Sequence, residues 1–477
     1  MIIEKRNCIN TVILFLLVMI TFGIKDNQWM IDNLGVVITI LSLVMLVFQV
    51  YTLKKKYDVS LISLISLFLV TLHIFHFGFY YLDCFGKTEY FIMFRNYFST
   101  DKVQKFISGL FCLCAIQALY TGIGFSISRN KHRAVDYKFM LSLSKKSKEK
   151  ILFNTGIIVL LISFPCRIYW DIQQILLGQR GSSYVGGFSA SGLVDDLAVV
   201  FAPAVMCIMY SKKNKKLLAK VLFGLYILYS LLVMTLSGTR RAYITSLLAM
   251  FVFYYNVFYK KGKKRVNIVT IFVIGLLAMF MLNFLSFISS NRHTELTINY
   301  LVENIDLFSL DFIWNSFAEF GITGVTTYLA VAYIPRMMPF QYGFTYFTSF
   351  FYILPIGWLI NFNLTGGDVI FELSKSYTTY TSGLGTSAIS DLYLNFGWLG
   401  ILIACIIGYI IGLVVYTPSL GKDEGINLKI IVNYCLGITI INYARGSTNE
   451  IVRNAAYILI LIVFVSYFIS RKKQSLY

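Results

Sequence analysis

With 57% hydrophobic and only 14% charged side chains among 477 residues, this chain carries more apolar surface than a single water-soluble core can hide, which excludes a soluble globule. Its net charge of +19 does not point to nucleic acid, because the basic residues sit in short runs between apolar stretches, as membrane orientation signals do. The apolar stretches reach about 20 residues without alternation, the length at which a helix crosses hydrocarbon, so an all-α polytopic transmembrane helical bundle is expected and not a barrel.

In chain order, spans are predicted at 9–24, 34–53, 61–82, 103–126, 151–170, 193–210, 217–236, 242–259 and 266–288, then at 396–416, 430–443 and 451–470. The first follows Lys5 and Arg6 as a signal sequence would. Lys25, Asp26 and Asn27 come next without a small-residue cleavage site, so it is expected to remain as a span. Basic runs at Lys5 and Arg6, at 54–56, 129–150, 212–216 and 260–265, at Lys422 and Lys429, and at 471–473 then alternate in side. That alternation places both termini in the cytoplasm. The expected organisation is residues 1–288 as spans one to nine, 289–395 as one large external block, and 396–477 as the last three of about twelve spans.

The external block carries Arg292, His293, Glu295, Glu303, Asp306, Asp311 and Glu319, and closes in the glycine-spaced GLGTSAISDLYLNFGWLG of residues 383–400. Long connections of this kind are functional or disordered, and this one is too apolar and aromatic for disorder. It is expected to form the lid and floor of a reaction site. Two apolar runs inside it, 317–334 and 344–360, are broken by glycine and proline and read as amphipathic or re-entrant helices. If both crossed, the count would be fourteen with sidedness otherwise unchanged. Its aromatic residues, Tyr346 and Trp358 among them, fit an interfacial belt or sugar-stacking platforms.

The sorting of cations by side is informative. Cytoplasmic segments favour Lys, whereas the outward ones carry Arg95, Arg167, Arg180, Arg240, Arg241, Arg292, Arg336, Arg445 and Arg453. Orientation needs only a charge, but a guanidinium offers a planar fork of donors that matches phosphate oxygens in pairs, so an anionic ligand is expected outside. Arg240 and Arg241 stand in the short outer turn SGTRRAYI, and Arg445 in a second, INYARGSTNEIVR. Arg167 and Arg180 flank a third, RIYWDIQQILLGQRG. Snorkelling of these arginines to lipid headgroups is the plain alternative.

The external block, the SGTRR turn, the closing TSAISDLYLNFGWLG and the spacing of Arg167 to Gly178 resemble the bacterial O-antigen and capsule repeat-unit polymerases (Wzy-type), glycosyltransferases of GT-C type. The resemblance implies polymerisation of undecaprenyl-pyrophosphate-linked oligosaccharide repeats into O-antigen or capsular polysaccharide on the outer face of the bacterial cytoplasmic (inner) membrane. Lipid-linked glycans and membrane lipid would be the partners, with a polysaccharide chain-length regulator beside them, and lipopolysaccharide biosynthesis the setting. Arg240, Arg241, Arg445, Arg167 and Arg180 would hold the pyrophosphate, with Arg240 and Arg292 stabilising the charge that develops as it leaves. No cofactor and no metal are expected, since no Asp-x-Asp pair is present; a metal role for the adjacent Asp195 and Asp196, at the mouth of a span, is the alternative. The attacking hydroxyl needs a base within hydrogen-bond reach. Asp391 is the first candidate, with Glu319 and His293 next and Ser387 beside it, because the related ligases begin this segment with a histidine that is missing here. A carboxylate capping the helix of the tenth span is an equally good reading of Asp391.

Other readings stay open: an O-antigen ligase or another polyprenyl-linked glycosyltransferase, or a lipid-linked oligosaccharide flippase, although ionisable residues at the outer surface fit a transporter poorly. His73 and His76, three apart on one face of the third span, read as neutral imidazoles hydrogen-bonded within the bundle more readily than as a metal pair. The eight cysteines read as apolar fillers, and Gly86-Lys87-Thr88 lacks the upstream glycine of a phosphate loop.

Overall fold

A computed structural model describes residues 2–57, 59–91, 101–129, 136–179, 192–237, 241–259, 311–354, 365–377, 384–416 and 426–474. Every extended regular element among them is helical. The principal helices are α1 Ile2–Ile24, α2 Leu34–Tyr57, α3 Leu64–Cys84, α4 Lys102–Arg129, α5 Lys145–Gln179, α6 Gly192–Val199, α7 Phe201–Ser211, α8 Lys216–Ser237 and α9 Arg241–Tyr254. They continue with α10 Asp311–Tyr333, α11 Phe344–Phe351, α12 Gly366–Tyr377, α13 Ala388–Phe396, α14 Gly400–Val415, α15 Leu428–Tyr443, α16 Thr448–Leu459 and α17 Val465–Gln474.

Eight of the helical segments are long and apolar enough to cross a membrane, and three shorter apolar ones fall at Ile9–Ile24, Tyr243–Tyr259 and Leu428–Tyr443. Eleven of the twelve predicted spans therefore coincide with described helices, and the ninth, 266–288, lies outside the described residues. Phe15, Val44, Leu161, Leu228 and Leu402 are all more than 60% exposed, as side chains facing lipid tails would be. Several boundaries differ from the expectation. The stretch from Arg167 to Gln179, expected as an outer loop, continues α5 without a break, because once the backbone is surrounded by hydrocarbon its polar groups are best satisfied within the helix. Residues 388–395, expected just outside the tenth span, are buried and helical. Within the expected external block, α10 is one 23-residue helix, about 35 Å long at 1.5 Å per residue, unbroken at the glycines expected to interrupt it.

The chain divides into two compact units. The first comprises residues 1–135, 317–419 and 436–456. At its centre α4 presents Phe106, Phe111, Tyr120 and its neighbours almost wholly buried, and two seams of small residues hold it together. Along α4 and α14, a methyl at Gly122 would collide with the Cys405 carbonyl, one at Gly408 with the Leu119 carbonyl, and one at Gly412 would stand 2.7 Å from Ser126 Cβ. Between α3 and α10, a methyl at Gly321 would lie 2.8 Å from the Phe79 amide nitrogen and one at Gly324 2.8 Å from the His76 carbonyl oxygen. Without a hydrophobic drive between helices in lipid, such close backbone approach supplies dispersion contact that larger residues would prevent.

The second unit comprises 136–316, 420–435 and 457–477. Here α5 lies against α7 through Gly156, where a methyl would stand 2.7 Å from Ile208 Cγ1. A polar clasp joins α5, α8 and α9. Arg167 Nε donates to Asp171 Oδ2 at 3.1 Å, the Tyr229 and Tyr243 hydroxyls both donate to the same carboxylate, and the guanidinium carbon lies 4.4 Å from the Tyr243 ring centre.

Candidate functional site

In the first unit a nest of polar side chains surrounds Asp391, buried among otherwise apolar helices. Helix α13 begins at Ser387 because the serine hydroxyl accepts the Ser390 amide at 3.1 Å while the Ser390 hydroxyl accepts the Ser387 amide at 2.8 Å, a reciprocal capping box. Asp391, one residue on, takes no part in that box and finds other partners. Its Oδ1 accepts the Thr386 hydroxyl at 2.9 Å, and its Oδ2 accepts both the amide and the hydroxyl of Thr448 at 2.8 Å.

Thr448 is the first residue of α16, and the turn before it carries Arg445, whose amide donates to the Asn442 carbonyl at 3.0 Å. The positive end of the α16 dipole thus meets a carboxylate, the favourable sign. Asp391 therefore does cap a helix, but not that of the tenth span: Ser387 caps that one, and the carboxylate reaches across to α16. Three donors occupy three of about four lone-pair directions, leaving about one for a further hydrogen. A methyl at Gly366, the first residue of α12, would overlap Asp391 Oδ1, so only a bare α-carbon fits against that face of the carboxylate. At the other end of α13, Asn395 donates to Thr345 Oγ1 at 2.7 Å and accepts the Gly343 amide at 3.1 Å, fixing α11 to the same element.

The nest extends into α3. The Nδ1 of His76 lies 2.9 Å from the Leu72 carbonyl oxygen, which can only accept, so Nδ1 carries the hydrogen and Nε2 offers its lone pair to the Ser387 hydroxyl at 3.1 Å. Thr326 of α10 reaches both Ser387 and Ser390, at 3.3 and 3.1 Å. One turn back on α3, His73 Nε2 meets Gln49 Oε1 at 3.2 Å, and Gln49 in turn meets Gln117 at 3.0 Å, which ties α2, α3 and α4 together. Both histidines are buried and hydrogen-bonded within the bundle. Among the described residues no group of three or more His, Cys, Asp or Glu is placed to hold a metal ion.

Of the predicted site residues, Asp391, Ser387 and the turn of Arg445 come together here. Glu319 lies on α10 two turns before Thr326 and on the same helix face, about 10 Å along the axis. Arg167 belongs instead to the clasp in the second unit, its charge balanced by Asp171. The backbone of Arg241 opens α9, two residues before the Tyr243 that closes that clasp. Arg180, Arg240, Arg292 and His293 lie outside the described residues.

The family model for O-antigen polysaccharide polymerase Wzy matches residues 8–474. The chain belongs to that family. The match runs through every helix described above, and with it the multi-pass membrane bundle is that of a Wzy polymerase, which joins oligosaccharide repeat units into O-antigen by glycosyl transfer. Neither curated proteins nor solved structures give a match. Thr386 and Thr448 escaped sequence reasoning, and His76, read there as a hydrogen-bonded imidazole of the bundle, was not connected to Ser387. An ionisable residue inside a span and the hydroxyl run T-S-x-x-S-D were the available signals, but their partners lie 57 to 311 residues away in the chain.

Proposed function

We propose that this Wzy polymerase takes repeat units carried on undecaprenyl pyrophosphate at the outer face of the cytoplasmic membrane, with both of its own termini inside, and that arginines rather than a metal ion meet the charge of the departing pyrophosphate. The observation that carries the reading is the bond from Asp391 to Thr448. Through it a carboxylate and the Arg445 turn are held by one short rigid connection, at the end shared by two apolar helices, α15 and α16. A lipid phosphate lies at the depth where such helices end.

In this reading Arg445 grips the pyrophosphate from the turn beside Asp391, and Arg240, Arg241, Arg180 and Arg292 are the further arginines that the sequence assigns to it. Their forks match developing phosphate charge better than ammonium groups would. Arg167, occupied by Asp171, instead anchors the segment that follows Arg240 and Arg241. Asp391 accepts the proton of the attacking sugar hydroxyl as the glycosidic bond forms and the bond to pyrophosphate breaks. Glu319 is the alternative base, and a chain-length regulator would act on the emerging polymer.

The test uses purified protein in lipid vesicles with synthetic polyprenyl-pyrophosphate repeat units, following polymer length. Arg445→Lys is expected to slow polymerisation while leaving protein yield intact, and Asp391→Asn to abolish it. Undiminished polymer from both variants would overturn the assignment.

A further inference from the structure

An enclosed base has a difficulty that the surrounding geometry resolves. Asp391 is 1% exposed, and the groups around it are as deeply buried: Ser387, Ser390 and His76 are each 0% exposed and Thr386 3%. Closed off from bulk solvent by these neighbours, a proton taken up by this carboxylate needs a route through the protein. It has one in a continuous line of hydroxyls. From Asp391 Oδ1 the contacts run to Thr386 Oγ1 at 2.9 Å, on to Ser390 Oγ at 2.7 Å, on to Ser387 Oγ at 3.1 Å, and end on His76 Nε2 at 3.1 Å. The terminal atom is the bare imidazole nitrogen, because the Leu72 carbonyl fixes the hydrogen on Nδ1. His73 takes no part, since its Nε2 is engaged by Gln49.

We propose that His76 is the internal proton acceptor of this site, drawing the proton from Asp391 through Thr386, Ser390 and Ser387 so that the carboxylate is restored for the next transfer. The proposal rests on Asp391 serving as the base. Each hop breaks one O–H bond and makes the next. The carboxylic acid gives its hydrogen to Thr386, Thr386 gives its own to Ser390, Ser390 to Ser387, and Ser387 to His76 Nε2. The line begins as carboxylic acid and neutral imidazole and ends as carboxylate and imidazolium. Net charge inside the nest is unchanged, so burial penalises the step far less than it would a lone ion. Thr326, within reach of both serines, braces the middle of the line from α10. The cycle closes when the imidazolium passes its proton on to the departing pyrophosphate, the base that the transfer itself releases.

A purely structural histidine makes a different prediction, and His76→Gln separates the two. Glutamine keeps an acceptor for the Ser387 hydroxyl and much of the volume but cannot take up a proton. If His76 only supports the capping box, the variant polymerises at the wild-type rate. If it receives the proton, the rate falls by about 10²-fold or more, the usual scale of acid–base assistance. In the same vesicle assay, the solvent deuterium effect of the wild-type enzyme should report several hydrogens in flight, and that signature should disappear in His76→Gln.

Should His76→Gln fail to accumulate as folded protein, the other end of the line serves. Thr386→Ser keeps the hydroxyl and should stay within a few-fold of wild type, whereas Thr386→Val should lose activity as His76→Gln would. Wild-type rates in His76→Gln beside an inactive Asp391→Asn would overturn the relay and leave the base assignment standing. An active Asp391→Asn would overturn the base assignment itself.

Discussion

The clasp of Arg167 and Asp171 gives a prediction whose size follows from burial. The two side chains are 13% and 4% exposed, and the carboxylate also receives the Tyr229 and Tyr243 hydroxyls. Replacing Asp171 by Leu strands a guanidinium among apolar and aromatic neighbours and leaves two buried hydroxyls without their acceptor. Removing one partner of a buried ion pair costs about 3–5 kcal/mol. That is roughly two to three and a half powers of ten in the ratio of folded to unfolded protein. Removing both charges together, as Arg167→Met with Asp171→Leu, takes away the stranded ion, and the double variant should recover most of the loss, since well-packed apolar replacements of such pairs are often neutral. Unfolding of the purified protein in mixed micelles, as wild type, both single variants and the double variant, measures the cycle. Equal destabilisation of Asp171→Leu and the double variant would refute the reasoning, because it would mean that packing and not charge balance holds α5, α8 and α9 together.

Other substitutions test other parts of the structure. Gly408→Leu sets a side chain against the Leu119 carbonyl, and because backbone cannot rotate away, the cost should reach or exceed the upper end of the about 1–3 kcal/mol typical of overpacking, read as lost folded yield on size exclusion. Gly366→Ala should displace the Asp391 carboxylate and lower the polymerisation rate much more than it lowers thermal stability, whereas a rate equal to wild type would show that the close contact at Gly366 is not needed. Thr448→Val removes one of the three bonds to Asp391 but keeps the amide, so it should destabilise by about 1.5–3 kcal/mol, as loss of a hydrogen bond to a charged group does, measured by the same unfolding assay.

Much of this architecture was legible in the sequence, for physical reasons. A run of about 20 apolar residues can do little in a cell but cross a bilayer, so span positions followed from composition alone. What apolar length does not reveal is where a helix continues through polar residues. Arg167 and Asp171 look like the start of a loop until Tyr229 and Tyr243 are seen to satisfy them, and α10 hid its continuity behind Gly321 and Gly324, which mark helix contact and not a break. Asp391 was legible as a residue of interest, yet its role depends on Thr448 and, through Ser387, on His76, groups brought together only by folding. Tertiary hydrogen bonds of this reach leave no periodic trace in a single sequence.

The seam of α4 and α14 has a mechanical consequence. Where Gly122, Gly408 and Gly412 let main chain touch main chain, two helices can neither slide nor rotate against each other without steric collision. Because α13 runs into α14 through the single turn Gly397–Leu399, the acid at position 391 inherits that stiffness and, in the proposed role, would be a fixed post against which a growing, bulky product is steered. Accommodation of successive sugars then falls to whichever segments lack such a splint, and longer products should strain those parts first.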